Sequence, residues 1–261
     1  MTLALKFSVE DKIAVLILNR PEALNALDPQ TQIELSDALN HVHTNPEIRV
    51  AIISGEGQKA FCVGADLKKT MPPQESHAQL TFGGGAREAR WIDAIEMDKP
   101  LICAINGMAM GGGLEMALAC DIRIAVDHAK FALPEVKVGS IPGAGGTQRL
   151  PRTIGMSDAM LMLLTAETID AQEALRIGLI SRIVAAERLM EEALAIATKI
   201  ADNAPLSVSA VKGLVRRGMN LPLADAINEE RMTWGLLRDT KDRIEGRVAF
   251  QEKRKPVYRG H

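Results

Sequence analysis

The sequence is poor in aromatic residues, which make up 3% of its 261 positions. Its core must therefore be filled by aliphatic side chains and methionine, which the 47% hydrophobic content can supply. No apolar run reaches the roughly 18 uncharged residues that a membrane helix requires. No basic segment followed by an apolar segment opens the chain, as it would in a secretory signal. We therefore expect a soluble cytoplasmic protein with no membrane partner.

Cysteine is also scarce, and a formal net charge of −2 leaves neither sign in excess. Cys62, Cys103 and Cys120 are flanked by apolar or small residues, which predicts buried free thiols and not a disulfide framework. His41 and His43 lie on a predicted helix at a spacing that points their rings apart, with no ligand cluster to complete a metal site. The balanced charge gives no general attraction to nucleic acid. We predict no metal and no nucleic-acid partner.

The hydrophobic pattern indicates an α/β chain in which strands lead into glycine-containing turns. Open α/β sheets place ligands at turns that follow strands. The predicted elements are strands at Leu3–Val9, Ile13–Leu18, Val50–Ile53 and Leu101–Ile105, and a helix at Pro29–His43.

The pattern changes near residue 187, after which only helical periodicity is present. The predicted helices are Glu187–Ala201, Leu206–Met219, Leu223–Leu237 and Lys241–Lys253. We divide the chain into a core of residues 1–200 and a helical C-terminal region of residues 201–261. The third helix carries more apolar residues than one stripe against its own core requires, which predicts self-association. The alternative is that these apolar faces fold back on the core.

The most informative segment is a run of three glycines, Gly111 to Gly113, followed two residues later by Glu115. Glycines at a helix entrance let a ligand approach bare backbone N–H groups, and the unpaired donors of the first turn face negative charge. Such donors favour charge that develops only in a transition state. Alone, a glycine cluster of this kind is more often a tight strand-to-helix turn.

A second carboxylate and a second glycine turn strengthen the functional interpretation. Glu135 follows Pro134 among apolar neighbours, a setting that raises the pKa of a carboxyl group. The segment Ala60–Lys68 follows an apolar strand and can supply the second N–H of an oxyanion pair. Each glutamate alone could equally be an exposed charge or, for Glu115, a partner of the helix terminus. Their combination favours an acid/base site.

Together these stretches resemble the crotonase family, the enoyl-CoA hydratase/isomerase superfamily. Further matching segments are Asn19–Leu27, Cys120–Arg123 and Phe250–Lys255, and all occur in the family's order over nearly the whole chain. The resemblance implies an α/β fold, a crotonase-type spiral of β-β-α turns with a C-terminal helical subdomain. It also implies a homotrimer or a dimer of trimers. No separate cofactor is implied, since coenzyme A is part of the acyl-CoA thioester substrate.

The resemblance further implies a role for each site residue. The backbone N–H groups of Ala65 and Gly112 form an oxyanion hole, Glu115 orients and deprotonates a water, and Glu135 delivers a proton to C2. The implied activity is syn hydration of a 2-enoyl-CoA, or the reverse dehydration of a 3-hydroxyacyl-CoA. Lys253 and Lys255 are interpreted as a solvated helix end. Contacts to coenzyme A or substrate are implied at Glu22, Ala23, Leu24, Ala65, Asp66, Leu67, Lys68, Gly111 and Gly112, with Lys68 available to a phosphate.

Alternatives to the hydratase remain open. An enoyl-CoA isomerase needs one carboxylate to move a proton, and the loop and C-terminal ending also resemble the carnitinyl-CoA dehydratase branch. Residues 70–86, followed by a helical stretch at Glu88–Met97, are expected to cover the acyl pocket, or to form a plain surface excursion. A non-catalytic CoA-ester scaffold or an RNA-binding protein is a more distant alternative, because both carboxylates are retained and no wide basic surface is present.

Overall fold

The computed structural model describes residues 3–70 and 91–261, and two β-sheets form its centre. The strands within these residues are β1 Leu5–Glu10, β2 Ile13–Leu18, β3 Val50–Gly55, β4 Ala60–Cys62, β5 Leu101–Ile105, β6 Met108–Met110, β7 Ile122–Val126, β8 Lys130–Ala132, β9 Ile169–Asp170 and β10 Arg182–Val184.

The two sheets are built by one repeating path of the chain. A six-stranded sheet has the order β1-β2-β3-β5-β7-β10, and a four-stranded sheet has the order β4-β6-β8-β9. β3, β5 and β7 lie parallel in the larger sheet, and the strand after each of them enters the smaller sheet. The chain then returns to the larger sheet, through the helix Gly112–Ala119 in the case of β6 and β7. This repeat confirms the predicted β-β-α spiral.

Most predicted elements are confirmed with small shifts at their ends, although the first strand begins at Leu5 and not Leu3. The predicted stretch Glu88–Met97 is described only from residue 91, and the loop of residues 71–86 lies outside the described residues. The α-helices of the described residues are Pro29–Thr44, Leu67–Thr70, Trp91–Ala94, Gly112–Ala119, Gly146–Thr153, Met156–Thr165, Ala171–Arg176, Leu189–Ala201, Pro205–Gly218, Leu223–Leu237 and Lys241–Glu252, with short 3-10 helices at Pro21–Ala23, Glu135–Val138 and Ala186–Arg188.

Local sequence explains the first turn of the chain. Asp11 and Lys12 have φ angles of 47° and 68°, and they join β1 and β2 with Glu10 opposite Ile13. A two-residue hairpin with positive φ at both positions twists as its strands require.

The core lies between the sheets and the helices that cover them. β5 is buried at every position, which matches the continuous apolar runs of parallel strands covered on both faces. The helix Leu189–Ala201 packs against β3 and β5. Cys62, Cys103 and Cys120 are buried free thiols, as predicted, and burial raises the pKa of Cys62 to about 12. No helix of the described residues is long and apolar enough to span a membrane.

Candidate active site

The three glycines of the opening motif lie where two neighbouring turns approach closely. β4 and β6 pair in parallel, so the turns that follow them meet at one edge of the smaller sheet. A Cβ added to Gly113 would lie 2.1 Å from the carbonyl oxygen of Cys62. Gly111 has a φ of 52° and a ψ of −128°, which L side chains rarely adopt. At Gly112 an added Cβ would lie 3.4 Å from the Cα of Gly64.

The same approach of the two turns places two backbone N–H groups side by side. The position of a Cβ on Gly112 lies 4.0 Å from the amide nitrogen of Ala65. Leu27 fixes the Ala65 turn, because its N–H donates to Gly64 O at 2.8 Å and its carbonyl accepts from Asp66 N at 3.0 Å. Within the described ranges, no acceptor receives the N–H of Ala65 or of Gly112. Two N–H groups without a backbone partner among the described residues therefore lie close together.

Glu115 lies in the first turn of the helix Gly112–Ala119, and its side chain is clamped. Glu115 is 3% exposed. The Oε1 atom accepts the N–H of Ala144 at 2.7 Å and the N–H of Gly146 at 2.8 Å. Burial raises the pKa of Glu115, while the N–H groups of Gly146 and Ala144 and the charge of Arg149 act in the opposite direction. These contacts favour the ionised carboxylate.

Glu135 is the first residue of the 3-10 helix Glu135–Val138 and lies across the site from Glu115. Its Oε1 atom lies 3.0 Å from the position of a Cβ on Gly111. Its Oε2 atom is buried and has no hydrogen-bond partner among the residues that the structure describes. Burial raises the pKa of Glu135, and the negative charge of Glu115 raises it further. This environment favours the protonated acid.

Both carboxyl groups and both N–H groups line one cavity of about 580 Å³. Glu115, held by the N–H groups of Ala144 and Gly146, suits a base, and Glu135, whose buried Oε2 has no partner among the described residues, suits an acid. The free N–H pair can hold an oxygen that gains negative charge during a reaction. The apolar part of the described lining consists of Leu27, Val63, Leu67, Trp91, Ile92, Val138 and Ile141.

The comparisons with known proteins agree on one family. The sequence model of the family described as Enoyl-CoA hydratase/isomerase matches residues 8–261. The chain is 49% identical over 252 residues to (E)-benzylidenesuccinyl-CoA hydratase of Thauera aromatica, with 97% of each chain covered. It is 43% identical over 246 residues to crotonyl-CoA hydratase of Syntrophomonas wolfei, with 94% of each covered. The crystal structure of enoyl-CoA hydratase from Bacillus anthracis matches with a TM-score of 0.89 and 37% identity, covering 99% of this chain and 100% of that one.

The chain belongs to the enoyl-CoA hydratase/isomerase family. The predicted family, the fold class and the hydratase activity are thereby confirmed. The roles assigned to individual residues remain predictions, as does the division of the chain at residue 200.

The structure of this family member brings most predicted site residues together. Ala65, Leu67, Gly111, Gly112, Glu115 and Glu135 line the cavity. The predicted coenzyme A residues Glu22, Ala23, Leu24, Asp66 and Lys68 are not part of the described cavity lining. They lie beside it, on the two segments that pair through Leu27 and Ala65 and are joined by an ion pair of Arg20 with Asp66 at 2.9 Å. Lys255 pairs with Asp202 at 2.8 Å, and Lys253 follows the last helix.

Sequence reasoning missed the residues that hold Glu115. Ala144 and Gly146 belong to a glycine-rich run that is visible in the sequence, but nothing local shows that their N–H groups face a carboxylate 29 and 31 positions earlier. Trp91, which is 3% exposed and lines the cavity, was also missed. Its signal was its place in the helical stretch Glu88–Met97, which was expected to cover the acyl pocket.

Proposed function

We propose that this protein adds water in a syn manner across the double bond of a 2-enoyl-CoA thioester, or removes it in reverse. The single observation that carries the proposal is the contrast between the two carboxyl groups of one cavity. Glu115 accepts two backbone N–H groups, and the buried Oε2 of Glu135 has no partner among residues 3–70 and 91–261. Hydration needs a base for the water and an acid for C2, and this contrast supports that division of roles.

The proposed mechanism begins with the thioester oxygen between the N–H groups of Ala65 and Gly112. The Glu115 carboxylate takes a proton from water while the water oxygen bonds to C3, and the π electrons of the double bond move toward the thioester oxygen. The two N–H groups stabilise the resulting enolate, and one such donor is worth on the order of 3–4 kcal/mol. Glu135 then gives its proton to C2. A proton passing from Glu115 to Glu135 restores the starting state.

We further propose that coenzyme A lies along the paired segments that contain Glu22 to Leu24 and Ala65 to Lys68. The support is the backbone pairing of Leu27 with Ala65, which joins both segments to the oxyanion donors. Lys68 is exposed on its short helix and can meet a phosphate. No cofactor beyond the coenzyme A of the substrate is proposed, and the cytoplasmic location remains a prediction.

The acyl group is proposed to be apolar, because Leu27, Val63, Trp91, Ile92 and Ile141 dominate the described lining. Relatives whose names include crotonyl-CoA and benzylidenesuccinyl-CoA support a 2-enoyl chain that ranges from short to aryl-bearing. A panel of crotonyl-CoA, cinnamoyl-CoA, benzylidenesuccinyl-CoA and crotonobetainyl-CoA would rank these acyl groups. Preference for the crotonobetainyl thioester would favour the carnitinyl-CoA dehydratase alternative.

The decisive test is the loss of absorbance of the conjugated enoyl thioester with wild type, Glu115→Gln and Glu135→Gln. Glutamine at 115 still offers an oxygen to Ala144 and Gly146, so the loop should remain in place. We expect kcat to fall by at least about 100-fold in each variant, while the exposed control Glu167→Gln keeps full activity. Full hydration by Glu115→Gln would end the two-carboxylate mechanism.

The isomerase alternative predicts a different outcome in the same experiment. Double-bond migration from a 3-enoyl-CoA needs only one proton-carrying carboxylate, so Glu115→Gln would retain migration while losing hydration. Tight thioester binding without turnover of any panel member would instead favour the non-catalytic scaffold.

We also propose self-association through the C-terminal helices. The helix Leu223–Leu237 has no buried residue, and Leu223, Met232 and Leu236 are 76%, 74% and 76% exposed. A soluble protein rarely leaves such apolar surface uncovered. A homotrimer or a dimer of trimers would cover it.

A further inference from the structure

The loop that clamps Glu115 is itself held by an arginine. The Nη1 atom of Arg149 donates to the carbonyl oxygen of Ala144 at 2.7 Å, and the N–H of Ala144 donates to Glu115 at 2.7 Å. Gly145 has a φ of +99° and packs so closely against the Arg149 guanidinium that an added Cβ would lie 2.1 Å from Nη1. Arg149 therefore fixes the peptide that fixes Glu115.

The same guanidinium has a second partner, a carboxylate. Its Nη2 atom pairs with one carboxylate oxygen of Glu96, and the second oxygen of Glu96 pairs with Arg216. Arg216 lies on the helix Pro205–Gly218 and also donates to the carbonyl oxygen of Met97 at 3.3 Å. A continuous series of polar contacts thus runs from Glu115 to the C-terminal helical region.

These charges meet across an open space and not within a packed interface. Glu96, Arg149 and Arg216 line a cavity of about 660 Å³, which also touches the end of the Glu115 helix from Leu118 to Cys120. The ion pairs of Glu96 link the helix Pro205–Gly218 to Arg149 across this cavity. A second anchor on the same helix, Lys212 to Asp121 at 2.8 Å, keeps the helix attached if Arg216 is changed.

We infer that Arg149 is a positioning residue for the base Glu115, and that Glu96 and Arg216 extend this control to the C-terminal helical region. The inference rests on the proposed function, because it assigns Arg149 a part in holding the base of that reaction. Arg149 acts through the Ala144 peptide and through its charge, without touching the substrate.

The charged groups that face Glu115 are Glu135 on the 3-10 helix and Arg149 on the helix Gly146–Thr153. Cys62, on the strand beneath, stays neutral because burial raises its pKa to about 12. The positive charge of Arg149 lowers the pKa of Glu115, so removing that charge must raise the pKa of Glu115. The acid limb of the kcat profile should then move to higher pH.

The experiment compares Arg149→Gln, Arg149→Lys and Arg216→Gln with Arg152→Gln as the matched control. Arg152 lies on the same helix, is exposed and lines the same outer cavity, but among the described residues it hydrogen-bonds only to Gln148. Steady-state kinetics with crotonyl-CoA are measured across pH, together with Tm. For Arg149→Gln we expect kcat to fall by about 10- to 100-fold with little change in KM, as for a slightly misplaced catalytic group.

The remaining variants separate charge from geometry. Arg149→Lys should return the acid limb of the pH profile to its wild-type position but restore only part of kcat. An ammonium group lacks the planar, paired donors with which the guanidinium binds Ala144 and Glu96 together. Arg216→Gln should lower kcat by a few fold, and Arg152→Gln should leave the profile unchanged. If Arg149→Gln lowers Tm but leaves kcat and the acid limb of the pH profile unchanged, the inference is overturned and the role of Arg149 is structural only.

A measurement without turnover separates this inference from the proposed function. In a double-mutant cycle of Arg149→Gln and Glu115→Gln, we expect the effects of the two substitutions on Tm to be non-additive while Glu115 is ionised. This coupling should vanish as pH falls through the pKa of Glu115. Coupling without enoyl-CoA turnover would support the positioning role and reject the proposed reaction. Turnover without coupling would reject the positioning role alone.

Discussion

At the scale of single residues, the site assigns opposite roles to two identical side chains. Glu115 and Glu135 share one cavity, and burial raises the pKa of both. Glu115 accepts the N–H groups of Ala144 and Gly146 and is influenced by the positive charge of Arg149, while the charge of Glu115 makes ionisation of Glu135 harder. The base and the acid are thus defined by their surroundings.

This difference predicts that Glu135→Gln stabilises the protein while it abolishes hydration. The folded pKa of Glu135 is raised, so its favourable contribution is complete below the unfolded pKa and is lost as pH rises through the folded pKa. Glutamine has the same shape and cannot ionise. Thermal unfolding should therefore show equal Tm values near about pH 4 and a Tm a few degrees higher for Glu135→Gln near about pH 8. A difference that stays constant across pH, relative to Glu167→Gln, would contradict this assignment.

At the scale of secondary structure elements, Asp28 connects a helix end to the oxyanion turn. Its side chain caps the helix Pro29–Thr44 by accepting the N–H of Thr31 at 2.9 Å. It also pairs with Lys69 at 2.7 Å and lies 3.5 Å from Arg20, which holds Asp66 next to Ala65. Burial opposes the charge, but the hydrogen bonds from Lys69 and Thr31 and the charge of Arg20 lower the pKa of Asp28 to about 2.

We expect Asp28→Ala to lower the free energy of unfolding at neutral pH by about 2 kcal/mol, the upper end for a lost helix cap. Asp170, which caps the short helix Ala171–Arg176 at an exposed site, is the matched control, and Asp170→Ala should cost about 0.5–1 kcal/mol. Because the folded pKa of Asp28 is depressed, its contribution is lost as pH falls from 3.8 to about 2. Urea unfolding should show the gap between wild type and Asp28→Ala closing in that range. A gap that persists there would mean that the carboxylate charge is not responsible.

The elements also show which parts of the structure a sequence can predict. Ile13–Leu18 and Leu101–Ile105 are long apolar runs, and the structure has them at the predicted bounds. β4, β6 and β8 span three residues each, too few to show an alternating pattern, so the smaller sheet followed only from the family resemblance. Motifs marked the glycine turn and both glutamates. The Arg149 contacts depend on residues that approach only after folding, and no local pattern records them.

At the scale of the whole molecule, the C-terminal helices leave apolar side chains exposed among the described residues. The helix Leu223–Leu237 buries none of its residues, and its main neighbour is the helix Pro205–Gly218. A helix of this length is only marginally stable in water without tertiary packing. Phe250, on the last helix, is 85% exposed. These exposed apolar residues support the proposed self-association.

We expect light scattering to give the mass of three or six chains for the wild type. The double variant Met232→Glu and Leu236→Glu places two charges on the exposed apolar face of the helix Leu223–Leu237. It should dissociate the assembly and lower Tm, because binding of subunits stabilises only the folded state. Asn228→Glu, at an exposed polar position of the same helix, is the matched control and should remain assembled. Truncation after Asp202 should give insoluble or inactive protein. A monodisperse, fully active monomer at micromolar concentration would reject self-association and would require the exposed apolar face to be covered within the chain itself.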